Sequence, residues 1–93
     1  MDKVIYFTEQ IFKEGNTYSS YCPELDIASC GNTIEEARKN LYETIEIVFE
    51  ECRKKGTLKA FLEEMGYSFK NDYEIIPPVP IETEKVEMKV RVA

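Results

Sequence analysis

The chain has 93 residues, 43% of them hydrophobic and 12% aromatic, and its 18 acidic against 12 basic side chains give a net charge of −6. A chain of this length has material for one hydrophobic core, so the sequence predicts a single domain over residues 1–93. The apolar fraction excludes a disordered chain. The acidic balance argues against direct nucleic-acid binding, because phosphates would be repelled, and it suits a basic partner instead.

The sequence predicts a cytoplasmic protein. The opening Met1-Asp2-Lys3-Val4 has no apolar signal region, and no stretch approaches the length of a membrane-spanning helix. The three cysteines, Cys22, Cys30 and Cys52, are odd in number and widely spaced. This spacing argues against a disulfide framework and predicts small thiols in core positions.

Three strand-forming stretches come first in the chain. Residues 3–14 are rich in β-branched and aromatic side chains and predict the first strand. The Gly-Asn pair at positions 15–16 supplies a turn, and residues 17–22 predict the second strand. That strand should end at Pro23, because proline lacks the amide hydrogen that a ladder needs. Residues 27–30 predict a short third strand.

A long amphipathic helix is predicted next. Thr33 and Glu36 form a capping-box pattern at its start, and Gly56 supplies the stop. Between them apolar residues recur every three or four positions, and the opposite face is charged and should be solvated. The predicted apolar face comprises Ile34, Ala37, Leu41, Tyr42, Ile45, Val48, Phe49 and Cys52, and the polar face comprises Glu35, Arg38, Lys39, Glu43, Glu46 and Glu50.

The rest of the chain predicts smaller elements. Thr57 is expected to cap a second helix over residues 58–65. Residues 67–76 are ambiguous and could form a further strand, interrupted by the turn signal Lys70-Asn71-Asp72. After a stiff proline segment, residues 85–92 alternate apolar and charged side chains, which predicts a C-terminal strand with one buried face.

These elements predict an α+β fold: a three-stranded antiparallel meander packed on a long helix (βββα), with a short second helix and a C-terminal strand. The expected core covers residues 3–66, and residues 67–93 form a C-terminal extension. An exposed alternating strand is a template for pairing, so the last strand should join either the first sheet or the edge of another copy. We therefore expect a homodimer or higher homo-oligomer.

Little in the sequence indicates catalysis. Histidine is absent, which removes the commonest general base and metal ligand. No phosphate-binding loop, nucleophile motif or paired cysteines occur, and neither a catalytic residue, a metal nor a cofactor is predicted. Cys22 is the only candidate nucleophile and is better interpreted as structural. Adjacent glutamates at 35–36, 50–51 and 63–64 are interpreted as solvated surface charge, whereas the pattern gives no explanation for Asp26.

The corner after the second strand is the expected contact site for a partner. Tyr18 and Tyr21 should point to opposite faces of that strand, so only one of them is expected in the core. We predict partner contacts at Tyr21, Glu24 and Asp26, because an exposed tyrosine beside a rigid turn is typical of interfaces. The polar face of the long helix is the alternative contact surface. An aromatic cross-strand pair on the outer face of the sheet explains the tyrosines equally well.

Three pieces of the sequence carry a resemblance. Tyr18 precedes the corner Cys22-Pro23-Glu24-Leu25, and the run Gly31-Asn32-Thr33-Ile34-Glu35-Glu36-Ala37 then opens the helix. In this order and spacing, residues 4–53 resemble the N-terminal domain of HicB-type antitoxins. The resemblance implies a partial ribonuclease-H-like fold without nuclease activity. It also implies binding to a small basic RNA-cleaving HicA toxin, whose active site would be covered.

The chain departs from the family pattern in two places. Many members append a DNA-binding domain, whereas no basic recognition helix follows Glu64 here. Asp26-Ile27 also replaces the pair usual after the corner. The leading expectation is an antitoxin-type protein and not an enzyme. The alternatives are a stand-alone homo-oligomeric interaction domain without a toxin, and a remnant hydrolase using Asp26, a helix glutamate and a divalent metal.

Overall fold

A three-stranded antiparallel sheet lies against one long helix in the computed structural model, which describes residues 3–71 and 74–93. The predicted α+β class is confirmed. The sheet has the order β1-β2-β3, and a second, two-stranded antiparallel sheet pairs β4 with β5. The elements are β1 (Gln10–Glu14), β2 (Thr17–Cys22), β3 (Ile27–Gly31), α1 (Ile34–Lys54), α2 (Leu58–Glu64), β4 (Ser68–Phe69) and β5 (Ile75–Ile76).

Small residues bring the sheet and α1 into close contact. Ser20 is opposite Ile11 on one side and Ser29 on the other, and it is fully buried. Its hydroxyl donates to the carbonyl oxygen of Ala37 at 2.8 Å, which satisfies the buried polar group and joins β2 to α1. At the end of β3, a Cβ on Gly31 would lie 2.6 Å from the backbone nitrogen of Ala37. Only glycine fits there without a shift of the helix.

The helix boundaries follow the local signals. Thr33 Oγ1 accepts from the amide of Glu36 at 3.0 Å, and the Glu36 carboxylate accepts from the amide of Asn32 at 3.2 Å. At the other end Gly56 has a φ of 69°, a left-handed conformation that glycine adopts without strain. Thr57 was expected to cap α2, but its hydroxyl bonds instead to the carbonyl oxygen of Cys52 at 3.3 Å.

One core joins the sheet, the helices and the segment that follows them. Ile5 and Phe7, which precede β1, pack against it although neither belongs to a strand. From Val79 onward every side chain is exposed. The buried cluster comprises Cys22, Leu25, Leu41, Ile45, Leu62 and Tyr67.

Two predicted strands differ in the structure. The first begins at Gln10 and not at Lys3, because residues 3–9 are held by side-chain contacts and not by a ladder. The predicted strand over residues 85–92 does not form, and the C-terminal pair of strands lies earlier, at β4 and β5. A strand needs a neighbouring backbone, and residues 85–92 pair with none of the strands that the structure describes. In the turn signal at 70–72, Asp72 lies outside the described residues.

Three side chains are more exposed than predicted. Ile34, the first residue of α1, is 44% exposed, and Tyr42 is 39% exposed. Cys30 was expected in the core but lies on the outer face of β3, opposite Ser19, and is exposed. No helix in residues 3–71 or 74–93 combines the length and the apolar character needed to cross a bilayer.

Candidate functional site

The β2–β3 corner contains all three predicted contact residues. Leu25 is buried and anchors the corner to the core, while Asp26 adopts a φ of 53°, which aspartate tolerates better than most residues. The Tyr21 hydroxyl donates to Asp26 Oδ1 at 2.9 Å, and this hydrogen bond raises the pKa of Tyr21. Asp26, which the sequence pattern left unexplained, therefore shapes the turn and bonds to Tyr21.

Glu24 fastens the corner to the start of the chain. Its carboxylate accepts from the Thr8 amide at 2.8 Å and from the Thr8 hydroxyl at 2.6 Å, and the Cys22 thiol lies at 3.7 Å. Burial of the carboxylate raises its pKa, but the hydrogen bonds from Thr8 outweigh burial and the net pKa of Glu24 is lowered. Glu24 thus bonds within the domain, and its oxygens are less available to a partner than its sequence position suggested.

Tyr21 has no aromatic neighbour across the strands. It is opposite Gln10 on β1 and Ala28 on β3, so the aromatic cross-strand pair is not formed. The structure therefore brings Tyr21, Glu24 and Asp26 together at one corner but uses them in internal hydrogen bonds. Their role as partner contacts stays a prediction.

The N-terminal segment, residues 3–9, is held at several further points that the sequence did not indicate. The Tyr67 hydroxyl donates to the carbonyl oxygen of Tyr6 at 2.8 Å. Glu9 accepts from Arg38 Nε at 3.0 Å and from the Tyr42 hydroxyl at 2.8 Å. These partners lie 29 to 61 residues away in the chain. No local pattern could therefore have identified them.

The acidic stripe is the outward surface of α1 formed by Glu43, Glu46, Ile47 and Glu50. Ile47 is 63% exposed, and these three glutamates line the same shallow depression. The sequence between positions 40 and 52 contains no lysine or arginine. Glu50 pairs with Arg53 at 3.0 Å and Glu43 lies 4.0 Å from Lys39, while Glu46 forms no ion pair within the described residues. The stripe thus places one exposed apolar side chain among three carboxylates.

The basic groove lies where the second helix meets the small sheet. It has a volume of about 640 Å³, and its rim carries Lys3, Arg53 and Lys59. The ammonium groups of Lys3 and Lys59 lie 6.0 and 5.4 Å from the centroid of the Phe69 ring. Sequence reasoning missed this groove, because its cations come from three separate elements. Its apolar walls are Ile5, Phe49, Leu58, Leu62, Phe69 and Ile75.

The candidate catalytic groups lie in ordinary structural settings. Burial raises the pKa of the Cys22 thiol, which disfavours the nucleophilic thiolate. In the described ranges, 3–71 and 74–93, no three cysteine or carboxylate side chains converge as metal ligands would. Asp26 is occupied by its bond to Tyr21.

The fold and its surfaces define a small α+β domain with an acidic helix face and a basic apolar groove. The chain matches no protein-family model, and no curated protein or solved structure is significantly similar to it.

Proposed function

We propose that the chain is a HicB-like, antitoxin-type domain that binds a small basic RNA-cleaving protein and neutralises it by masking its active surface. The observation that carries the proposal is the acidic stripe. A protein that cleaves RNA must present cations to the phosphates, and the stripe presents the opposite charge on a rigid helix. The order of elements, three strands followed by a long helix, also agrees with the resemblance.

The stripe has the composition of a contact centre. Exposed isoleucine supplies apolar area that is lost from water on binding, and the surrounding carboxylates supply orientation and attraction. Glu46, beside Ile47, forms no ion pair with any described residue, so a basic partner gains there without first breaking one. In the corner, by contrast, a partner would compete with the bonds that Glu24 and Asp26 already make.

The binding test uses a small basic RNA-cleaving protein, sought first among the reading frames that adjoin this chain's gene, with affinity measured by calorimetry and protection measured by RNA cleavage. Glu46→Lys combined with Ile47→Asp should weaken binding by about a hundredfold and restore cleavage. The control is Glu63→Lys, a charge reversal at an exposed glutamate of α2. It should leave the affinity within about twofold, since rim charges away from a contact contribute little.

The corner is tested separately with Asp26→Asn. Asparagine tolerates the left-handed backbone of this position, so the turn is kept while the charge is removed. If the corner is the contact, this change alone should weaken binding by about tenfold. Binding that depends on Asp26 and ignores the stripe would move the site to the corner. Binding insensitive to both surfaces, or no binding at all, would refute the proposal.

A second candidate function is a self-associating interaction domain without a toxin partner. It is favoured by the C-terminal segment, residues 81–93, whose apolar side chains lie in solvent. Sedimentation of the purified chain over a range of concentrations tests it, because a chain that never associates excludes this function.

A further inference from the structure

The basic groove and the C-terminal segment are two uncovered apolar surfaces of one chain. Along the segment Val86, Met88, Val90 and Val92 are between 77% and 90% exposed. An extended chain alternates its side chains between two faces, so these four residues share one face. The same face also carries Glu82 and Glu84, on its N-terminal side. The segment thus presents two acids followed by an apolar row.

The groove has the complementary pattern. Its walls are apolar, its rim is cationic, and none of the described residues that line it is acidic, although the chain as a whole has a net charge of −6. Arg53 is paired with Glu50, but within the described residues Lys3 and Lys59 form no ion pair. Two lysines held near the Phe69 ring therefore remain available for carboxylates, beside walls that remain available for aliphatic side chains.

The path of the chain directs the segment away from its own groove. Ile75 lies beside Lys3 and Ile5 in the groove, Pro77 lies beside Tyr6, and Pro80 lies near Thr8 and Glu24. Residues 75–80 thus pass from the groove to a depression that Thr8 and Glu24 also line.

Two features keep the segment on this course. Pro78 packs against Gly66, where an added Cβ would lie 3.1 Å from the proline ring. The proline segment, residues 77–80, is stiff, so it holds the chain extended as it leaves the groove. A second copy has no such restriction on reaching the groove.

We propose that residues 82–92 of one copy bind, as an extended strand, in the basic groove of a second copy, and that two copies exchange these strands reciprocally. Glu82 and Glu84 approach Lys3 and Lys59, and the apolar row from Val86 to Val92 covers the groove walls. The inference rests on the self-association offered above as the second candidate function. It does not depend on the basic partner, which has its own test.

The first experiment measures the dimer dissociation constant of the full chain by sedimentation over about 1 to 200 μM. Met88→Ser with Val90→Ser removes two groups from the docking face and should weaken the dimer by about a hundredfold. Glu87→Ser with Lys89→Ser is the matched control: it alters two neighbouring positions on the opposite face and also leaves the net charge unchanged. The control should keep the wild-type constant within about threefold.

The second experiment uses charge reversal in trans. One variant carries Lys3→Glu and Lys59→Glu in the groove, and the other carries Glu82→Lys and Glu84→Lys in the segment. Each variant alone should associate at least about tenfold more weakly than wild type, because each brings like charges together. The equimolar mixture should associate again, since both segment–groove contacts in the mixed dimer are then complementary.

Three outcomes overturn the inference and separate it from the other proposals. A chain that stays monomeric throughout the concentration range removes self-association altogether. A dimer that is insensitive to the segment and groove variants keeps self-association but places its interface elsewhere. A mixture no tighter than its components shows that the two surfaces do not meet. None of these outcomes alters the test of the acidic stripe.

Discussion

The two ends of the described chain both carry apolar residues but have opposite structural outcomes. The N-terminal segment contains the apolar run Val4-Ile5-Tyr6-Phe7, the C-terminal segment alternates apolar and charged residues over positions 85–92, and neither belongs to a strand ladder. In the first, Ile5 and Phe7 pack on the core. In the second, all side chains are exposed. The apolar pattern of a segment therefore shows which side chains could be buried but does not decide whether they are covered.

Polar anchors account for the difference. Three residues anchor the N-terminal segment through hydrogen bonds. Thr8 donates to Glu24, and the carbonyl oxygen of Tyr6 accepts from Tyr67. Glu9 accepts from two side chains of α1. Each bond satisfies a backbone or side-chain group that would otherwise need water, so the segment can lie against the domain without a ladder. The C-terminal segment has no comparable anchors in the described structure, and we propose that a second copy supplies them.

Truncation of one apolar side chain in each segment should give the largest difference in stability between the two ends of the chain. Phe7 packs on the core, and its ring meets the Tyr42 ring edge to face, with the two ring centroids 6.2 Å apart. Phe7→Ala should therefore lower the free energy of unfolding by about 2 kcal/mol. Urea unfolding measures the loss. It should be the same at every protein concentration, because Phe7 acts within one chain.

Val90→Ala is the comparison in the C-terminal segment. An exposed valine contributes about 0.5 kcal/mol or less to a monomer, so any larger loss should appear only at concentrations where the chain associates. A loss that is large and independent of concentration would show that the segment packs on its own domain. Such a result would contradict the conclusion that only the N-terminal segment packs on the domain.

The sequence was informative where the deciding interactions are local. Thr33 and Gly56 mark the ends of α1 through contacts within a few residues, and these boundaries could be predicted. The paths of both terminal segments could not, because they depend on partners such as Tyr67, which lies 61 residues from Tyr6. The basic groove was missed for the same reason. Asp26 was noticed as unexplained, but its left-handed backbone appears only in the folded corner.

A further substitution tests the polar anchor at Glu24, which accepts two hydrogen bonds from Thr8. Glu24→Gln removes the charge that strengthens two hydrogen bonds from Thr8, and we expect a loss of about 1–1.5 kcal/mol in the free energy of unfolding. Hydrogen exchange of the Thr8 amide should accelerate as the segment opens. Glu63→Gln is the control, an equivalent change at an exposed glutamate of α2. Slow exchange at Thr8 in Glu24→Gln would mean that the apolar contacts alone hold the segment.

The Glu24 carboxylate should also make the stability of the folded protein depend on pH in the acid range. The pKa of Glu24 is lowered in the folded protein, so the folded state favours the ionised form. Its contribution is full above the unfolded pKa of about 4.3 and is lost as the pH falls through the lower folded value. Between pH 7 and acid, Glu24→Gln should therefore lose less stability than wild type, as measured by thermal unfolding. Parallel curves for the two proteins would assign the acid sensitivity to other carboxylates.

The smallest effect is expected at the anchor that Tyr67 provides. Tyr67→Phe removes only the hydroxyl that donates to Tyr6, and the expected loss is about 0.5–1 kcal/mol. Burial, with the nearby Glu24 charge and Cys22, raises the pKa of Tyr67 to about 12. The stability from its neutral hydroxyl is full below the unfolded pKa of about 10 and is lost as the pH rises toward 12. Alkaline titration of phenol absorbance should show a last-ionising tyrosine in wild type that Tyr67→Phe lacks. If Tyr67 ionised together with the exposed tyrosines, its hydroxyl would lie in solvent. Thr8 and Glu9 would then be the remaining polar anchors of the N-terminal segment.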